Sequence, residues 1–198
     1  MQKITLFIDQ ANIWSACKKM GKTLDYSKFQ AFFEQKFLWQ VQDMFYYQAF
    51  PSDGSRSHSI DGLHRFFVKM EKGFGYTVRK KELKTITLRD KAGTIIYDPR
   101  TGKPLTKEKG NFDVELTMDA MEYRSGFDIG IFFTGDSDFL PLITHLRNEW
   151  KKIYIFSTED SISQELRTGA DQYYNLVEFP EIHGDQLQSR QWNNPTQA

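Results

Sequence analysis

Cysteine is nearly absent from this chain of 198 residues, since Cys17 is the only one. A single cysteine excludes an intramolecular disulfide and any zinc site built from several cysteines. Net charge is absent as well, because 26 Lys and Arg residues balance 26 Asp and Glu residues. The field of the whole molecule therefore favours neither nucleic acid nor a membrane. The four histidines show no metal-binding spacing; they are His58, His64, His145 and His183.

Long apolar segments are also missing. The first apolar run ends early at Asp9 and has no small-residue cleavage site, so a secretory signal is not expected. No later segment has the length and apolar character of a membrane span. We therefore expect a soluble, cytoplasmic protein with no membrane partner. Hydrophobic residues make up 39% of the chain and aromatic residues 15%, enough for a substantial core in one domain.

Strand-like and helix-like segments alternate along the chain, which is typical of an α/β fold. Strands are expected at 4–8, 41–50, 76–80, 128–134, 152–156 and 173–177, with helices at 13–20, 26–38, 59–72, 113–123, about 137–149 and 161–166, and a loop at 51–55. This order predicts one three-layer α/β/α domain over residues 1–180, with a mostly parallel central sheet. Residues 181–198 are predicted to be a polar C-terminal tail.

Residues 81–109 interrupt this alternation. The β-prone segments 85–88 and 94–97 flank a turn-like segment at 89–93, so we predict an inserted β-hairpin. Residues 79–109 contain ten basic and four acidic side chains, a net charge of +6, which leaves −6 for the rest of the chain. Such an arm is suited to guide phosphates toward an acidic site. Alternatively, its lysines only protect an exposed edge strand from pairing.

Several side chains of this arm are candidates for contact with nucleic acid. Tyr97 and the neighbouring Tyr76 are suited to stack on unpaired bases. An exposed hairpin can also pair with a second copy of the chain, so a homodimer through this hairpin is compatible with the sequence. The predicted nucleic-acid-binding residues are Lys80, Lys81, Lys84, Arg89, Lys107 and Lys109.

Acidic residues recur where predicted strands end or helices begin. Asp9 ends the first strand, Asp113 begins a helix, and Asp136 and Asp138 follow a buried strand through Gly135. At a topological switch point two strand ends lie side by side, which would bring Asp9 and Asp136 together. Clustered carboxylates repel each other, and Mg²⁺ or Mn²⁺ relieves this repulsion. The pattern therefore predicts a divalent-metal site that activates water for phosphoryl chemistry.

Each of these residues also has an ordinary structural interpretation. Asp136 and Asn12 are good helix caps, and Asp113 suits the first turn of a helix. Asp119 follows Asp113 by six residues, which places it about 120° away around the helix. The two cannot both point squarely at one ion, so Asp113 is the preferred ligand.

Three motifs resemble those of a known family; they are residues 7–12 (FIDQAN), 109–121 (KGNFDVELTMDAM) and 134–142 (TGDSDFLPL). Together they resemble the NYN domain, specifically its LabA-like branch within the PIN-like nuclease superfamily. The resemblance extends from residue 4 to about 177. It implies a Rossmann-like α/β/α fold, a divalent-metal site and ribonuclease activity.

The resemblance also implies roles for individual residues. The metal-binding and catalytic residues would be Asp9, Asp113, Asp136 and Asp138, with Asn12, Ser137, Asp119 and Thr134 as supporting groups. One departure is that Gln10-Ala11 stands where the family usually has Gly after the first Asp. This departure adds a side chain beside the expected site.

Two functions fit these observations. The first is an endoribonuclease that uses Mg²⁺ or Mn²⁺ to cleave RNA, single-stranded or structured. The second is a non-catalytic module on the same fold that binds RNA or another partner, for which the Gln10-Ala11 step is the only hint. A phosphatase of the haloacid dehalogenase type is disfavoured, because Ala11 stands where that chemistry needs a second Asp.

Overall fold

The computed structural model describes residues 1–51 and 57–187, which form ten strands and six α-helices. The strands are β1 (Lys3–Asp9), β2 (Lys22–Leu24), β3 (Gln40–Phe50), β4 (Thr77–Glu82), β5 (Lys84–Thr87), β6 (Thr106–Lys109), β7 (Ile129–Phe133), β8 (Lys152–Ser157), β9 (Gln172–Asn175) and β10 (His183–Gln186). The helices are α1 (Gln10–Met20), α2 (Phe29–Lys36), α3 (Ser57–Phe74), α4 (Asp113–Glu122), α5 (Leu140–Asn148) and α6 (Gln164–Gly169). The loop predicted at 51–55 lies, apart from Pro51, outside the described residues.

Six parallel strands form the central sheet, in the order β4-β3-β1-β7-β8-β9. All six strands expected from the sequence are present, and the predicted α/β fold with a mostly parallel sheet is confirmed. Strand β1 lies at the centre, with Ile8 opposite Phe133 of β7. The strand order reverses here, so the carboxyl ends of β1 and β7 form the topological switch point.

Both faces of the sheet are covered by helices, which is why the central strands are apolar throughout. Leu6 and Ile8 pack on the side of α1, α2 and α3. Phe7 points to the other side, toward α4, α5 and α6, and stacks on Phe45 and Phe132 at ring-centre distances of 5.5 and 4.8 Å. Alternate residues of β1 therefore hold the two helical layers on one sheet. Among the described residues, no helix combines the length and apolarity needed to cross a membrane.

The inserted hairpin is present, but its strand pairing differs from the prediction. Strand β5 pairs with β6, which places Lys84 opposite Lys109 and Thr87 opposite Thr106. The predicted partner, 94–97, lies at the outer end, where the Ile96 amide donates to the Leu88 carbonyl. The predicted turn is present, since Arg89 bridges Ile95 in antiparallel fashion and the Gly93 amide donates to the Asp90 carbonyl. The pairing of β5 with β6 was missed because β6 reads Thr-Lys-Glu-Lys, a segment with little intrinsic strand propensity. The non-local ladder, rather than the local pattern, determines the pairing.

The C-terminal boundary also differs from the expectation of a polar tail from residue 181. Ile182 is fully buried, and β10 pairs antiparallel with β2. The Leu187 amide donates to the Gly21 carbonyl at 2.8 Å. The packed domain therefore includes residues 181–187, whose short strand is too polar to stand out in the sequence. Residues 188–198 lie outside the described part of the chain.

Candidate active site

A pocket at the carboxyl ends of β1 and β7 collects carboxylates from three separated segments. Asp9 is the last residue of β1, Asp113 is the first residue of α4, and Asp136 and Asp138 follow β7. All four line one cavity of about 330 Å³, which we call the acidic pocket. The structure thus brings together the four acids that the sequence predicted as one site.

Two of these acids are helix caps as well. Asp9 caps α1 by accepting from the backbone amide of Asn12 at 3.4 Å, and Asp136 accepts from the backbone amide of Asp138 at 3.0 Å. Both caps use the Oδ1 oxygen. The capping interpretation and the site interpretation therefore apply to the same side chains, because a cap at a strand end fixes the carboxylate beside the pocket.

Polar contacts tie the two strand ends together. The Thr134 hydroxyl donates to Asp9 Oδ2 at 3.3 Å and accepts from the Asp136 amide at 3.3 Å. The side-chain oxygen of Asn12 accepts from the Gly135 amide at 3.1 Å. Asn12 and Thr134 thus connect the two strand ends that carry Asp9 and Asp136; their supporting role stays a prediction.

Gly135 is required by the close packing of this turn. A side-chain carbon at this position would collide with the carbonyl oxygen of Ser161. The Gly135 carbonyl in turn accepts from the Ser163 amide at 2.9 Å. The segment that follows β8 therefore packs directly against the turn that carries Asp136.

The environment of the acids opposes their ionisation. The pKa of Asp9 is raised to about 6, mainly by burial and also by the negative charges of Asp113 and Asp136, against the hydrogen bond from the backbone amide of Asn12. The pKa of Asp113 is also raised, first by burial and then by Asp136. These directions show that the acids repel each other, the condition that a bound cation relieves.

The donor set of the acidic pocket fits a hard divalent cation. Within residues 1–51 and 57–187, no three acidic, histidine or cysteine side chains are arranged to hold a metal ion by themselves. Mg²⁺ keeps several waters and is usually bound by one or two carboxylates together with substrate phosphates. Carboxylate oxygens from Asp9, Asp113 and Asp136 therefore suit a hydrated ion, whereas a closed protein cage is not formed.

Of the four predicted supporting residues, Asn12 lines this pocket and Thr134 contacts its Asp9, whereas Asp119 and Ser137 do neither. Asp119 is buried and accepts from Arg79 Nη2 at 2.7 Å, Arg79 Nε at 3.0 Å and the Tyr47 hydroxyl at 2.9 Å. Its helical angle from Asp113 turns it toward β3 and β4, so Asp119 does not line the pocket itself but contacts Tyr47, which does; its supporting role stays a prediction. Ser137 is exposed and does not line the pocket.

Lysines from the inserted hairpin lie beside the acidic pocket. A second cavity of about 330 Å³ is lined by Lys81, Lys84 and Lys109 together with Glu82 and Glu115, and it shares Gly110 and Asn111 with the acidic pocket. The register pairs Lys84 with Lys109 and the residue after next, Ile86, with Lys107, so Lys107 lies on the same face. We call the face with Lys81, Lys84, Lys107 and Lys109 the lysine face.

Other residues predicted to bind nucleic acid lie elsewhere. Lys80 pairs with Glu71 of α3 at 3.4 Å, on the opposite side of the sheet from Lys81. Arg89 donates to the Gly93 carbonyl at the outer turn. Tyr76 is buried, with its hydroxyl bonded to a backbone carbonyl, so its predicted role in base stacking is wrong. Tyr97 is exposed at the outer end of the hairpin.

The structure adds residues that were not predicted. Asn111 donates from Nδ2 to Asp113 Oδ2 at 2.6 Å, and its place in the second motif was the available signal. Ser15 lines the acidic pocket. Gln10, the unusual residue after Asp9, accepts from the Tyr26 hydroxyl and lines a neighbouring cavity instead. Only Ala11 of the Gln10-Ala11 step lines the acidic pocket.

Comparison with known proteins places this geometry in a family. The sequence pattern of the NYN domain matches residues 3–177. The chain belongs to the NYN domain family. The acidic pocket and the lysine face both lie within the matched NYN domain.

Individual relatives agree with this assignment. The chain is 26% identical over 174 residues to the low amplitude and bright protein LabA of Synechococcus elongatus, covering 88% of this chain and 83% of LabA. It is 29% identical over 86 residues to an uncharacterized protein of Methanocaldococcus jannaschii, covering 42% of this chain and 36% of that protein. A crystal structure of a protein of unknown function from Vibrio parahaemolyticus has a TM-score of 0.61 at 23% identity, covering 88% and 93% of the two chains. The structural similarity supports the same fold for this NYN domain.

Proposed function

We propose that this NYN domain is an endoribonuclease that cleaves RNA phosphodiester bonds with the help of Mg²⁺ or Mn²⁺. The observation that carries the proposal is the acidic pocket, where Asp9, Asp113 and Asp136 converge from three distant segments at the switch point. Membership of the family supports it, because nuclease activity is what the resemblance to the PIN-like superfamily implies.

The carboxylates provide the chemistry that this reaction needs. Asp9, Asp113, Asp136 and Asp138 would hold the cation, which when bound lowers the pKa of a coordinated water and polarises the phosphoryl oxygen. Asp113 is oriented by the hydrogen bond from Asn111. Among the residues that the structure describes, no histidine or lysine lines the acidic pocket, so the carboxylates would be the proton acceptors.

The lysine face provides the positive charge that an RNA backbone requires. Lys81 is held in place by Glu115 at 2.6 Å and lies over the Phe112 ring at 4.4 Å, next to Asp113 on the chain. Lys84 and Lys109 extend this charge along the ribbon. Phosphates on this face would lead the scissile bond into the acidic pocket, where charge neutralisation by the cation is needed.

Cleavage of a labelled single-stranded RNA in the presence of Mn²⁺ or Mg²⁺ tests the proposal. We expect EDTA to abolish cleavage, and Asp136→Asn to reduce it by at least about a hundredfold, more than the loss of a typical outer-sphere partner. This substitution keeps the Oδ1 acceptor that caps the following turn. The matched control is Asp128→Asn, at the opposite end of β7, where the exposed carboxylate accepts from the Lys3 backbone amide. The control should cleave as well as the wild type.

A non-catalytic RNA-binding module on the same fold is the second candidate. The observation in its favour is that no three described side chains already form a metal cage. Tight RNA binding without any metal-dependent cleavage would support it. Cleavage that persists in EDTA and in Asp136→Asn would contradict the metal site itself.

A further inference from the structure

A third cavity lies next to the acidic pocket on the α1 side of the sheet. Its main walls are Trp14 of α1 and Leu83, which follows β4, and its volume is about 340 Å³. Trp14 is 42% exposed although it is a large aromatic side chain. We call this cavity the tryptophan pocket; Gln10, Ala11, Gln48 and Gly110 also line it.

The tryptophan pocket adjoins the acidic pocket. Ala11, Ala49 and Gly110 line both cavities. A side-chain carbon on Gly110 would lie 2.8 Å from Ala49 Cβ and 2.8 Å from Leu83 Cδ2. The two cavities therefore share small residues as lining, and Gly110 leaves no room for a side chain beside Ala49 and Leu83.

Two of the residues that line this cavity, Gln10 and Gln48, have a side-chain oxygen bonded to a buried tyrosine. The Oε1 oxygen of Gln10 accepts from the buried Tyr26 hydroxyl, and that of Gln48 accepts from the buried Tyr46 hydroxyl at 2.7 Å. No partner for either amide nitrogen is found among the described residues. With each oxygen held by a tyrosine, the amide nitrogen is the group left to donate to a ligand.

An exposed indole beside oriented amide donors has the chemistry of a site for a nucleobase. Bases stack on aromatic faces, and their ring nitrogens and carbonyls accept hydrogen bonds from amides. A base that enters such a cavity has to be unpaired, because its flat faces and its edge must both be accessible. The nearby carboxylates would repel an anionic group, so a neutral base suits the cavity better than a second phosphate.

We propose that the tryptophan pocket binds the unpaired base of the nucleotide next to the phosphodiester bond that enters the acidic pocket. This inference rests on the proposed function on RNA and specifies the substrate further. The base in the tryptophan pocket, the bond at the carboxylates and the backbone on the lysine face would together set the cleavage position. Gln10, the departure from the family motif, then acts on the base and leaves the carboxylates unobstructed.

A coupling experiment between Trp14 and a single base tests this proposal. A series of short, labelled single-stranded RNAs is prepared, each with one base removed to leave an abasic ribose at a different position. Affinities are measured by fluorescence anisotropy in EDTA, with every protein carrying Asp136→Asn so that the RNA is not cut. Cleavage rates are measured separately in Mn²⁺, with Asp136 retained in every protein. In both assays the protein that keeps Trp14 and Trp150 is compared with Trp14→Ala, Trp14→Phe and the control Trp150→Ala. Trp150 is 94% exposed and precedes β8 at the amino ends of the strands, away from the acidic pocket.

The proposal expects one position at which loss of the base weakens wild-type binding by about tenfold, the size of one lost stacking contact. At that position Trp14→Ala should bind intact and abasic RNA equally, whereas Trp14→Phe and Trp150→Ala should keep the discrimination. In the cleavage assay this position should flank the cut bond. Circular dichroism and thermal melting should show that Trp14→Ala remains folded, since the side chain lies on the surface of α1.

The outcomes separate this inference from the nuclease proposal. Position-specific coupling in the binding assay without any cleavage would support the base site and contradict nuclease activity. If cleavage depends on metal but Trp14→Ala lowers the affinity for intact RNA and for abasic RNA by the same factor, the base site is contradicted and the nuclease proposal stands. Failure of the protein to bind any of the RNAs would overturn the base site as well.

Discussion

The substitution Asp9→Asn should make the protein more stable at neutral pH while it removes activity. Asp9 is largely buried, and burial together with Asp113 and Asp136 raises its pKa from 3.8 to about 6. The folded state therefore holds the proton more tightly than the unfolded state does. At neutral pH the ionised carboxylate is a net cost to folding, which the neutral amide of asparagine does not carry.

The expected gain follows from the size of the pKa shift. A shift of about two units corresponds to roughly 3 kcal/mol, and we expect about 2–3 kcal/mol because asparagine offers only one acceptor oxygen. The penalty is fully present above pH 6, decreases as the pH falls from about 6 to 4, and is absent below the unfolded pKa. The advantage of Asp9→Asn over the wild type should follow the same course.

Urea unfolding in EDTA, near neutral pH and again near pH 4, measures this difference directly. The metal-free buffer matters, because a bound cation stabilises the wild type by mass action. Asp128→Asn serves as the matched control, since its exposed carboxylate lies at the other end of the sheet. A variant no more stable than the wild type at neutral pH, or a gain that is the same at both pH values, would refute the reasoning.

Three further substitutions probe separate features of the site. Gly135→Ala should destabilise the protein by about 2–3 kcal/mol in urea unfolding, because its new methyl group collides with the Ser161 carbonyl. Asp119→Asn should lower stability by about 1–2 kcal/mol, less than a fully buried pair because Arg79 is 41% exposed, and cleavage should keep its dependence on metal concentration. Lys109→Ala should reduce the slope of log affinity for single-stranded RNA against log salt by about 0.7, the contribution of one phosphate contact.

Two of these changes have a matched control in the chain. Gly126→Ala introduces a methyl group into open space and should leave stability nearly unchanged. Lys91→Ala, at the outer turn of the hairpin, should leave the salt slope unchanged. A loss of metal affinity in Asp119→Asn would return that residue to the metal site. A salt slope that changes equally for Lys91 and Lys109 would contradict a specific lysine face.

Much of the fold and the centre of the site can be predicted from the sequence. The apolar run of β7 predicts a buried strand, and Gly135 with Asp136 predicts the turn and cap that follow it. These signals depend on neighbours within a few residues along the chain. The parallel arrangement then places the ends of β1 and β7 together, so the clustering of Asp9 with Asp136 follows from the order of the elements.

Other features depend on contacts between distant segments and leave little local signal. Strand β5 pairs with the Lys-rich strand β6, because this ladder satisfies the backbone hydrogen-bonding groups of both strands. The side-chain pattern of β6 does not reveal this pairing. Asp119 has the residue type of a ligand, yet its angle on α4 directs it to Arg79. Trp14 carries no sign of a pocket in the sequence, since the pocket requires Leu83 and Gly110 from a separate part of the chain.

The sequence by itself determined the α/β class, the six strands of the sheet and the set of acids that meets at its carboxyl edge. Periodicity, capping and strand order are sufficient for these, because each is a local or sequential property. The tertiary structure alone decided which lysines share a face, where the packed domain ends and that a tryptophan-lined cavity adjoins the carboxylates. These features depend on which distant surfaces come into contact, and that is determined by packing and hydrogen-bond satisfaction across the whole domain.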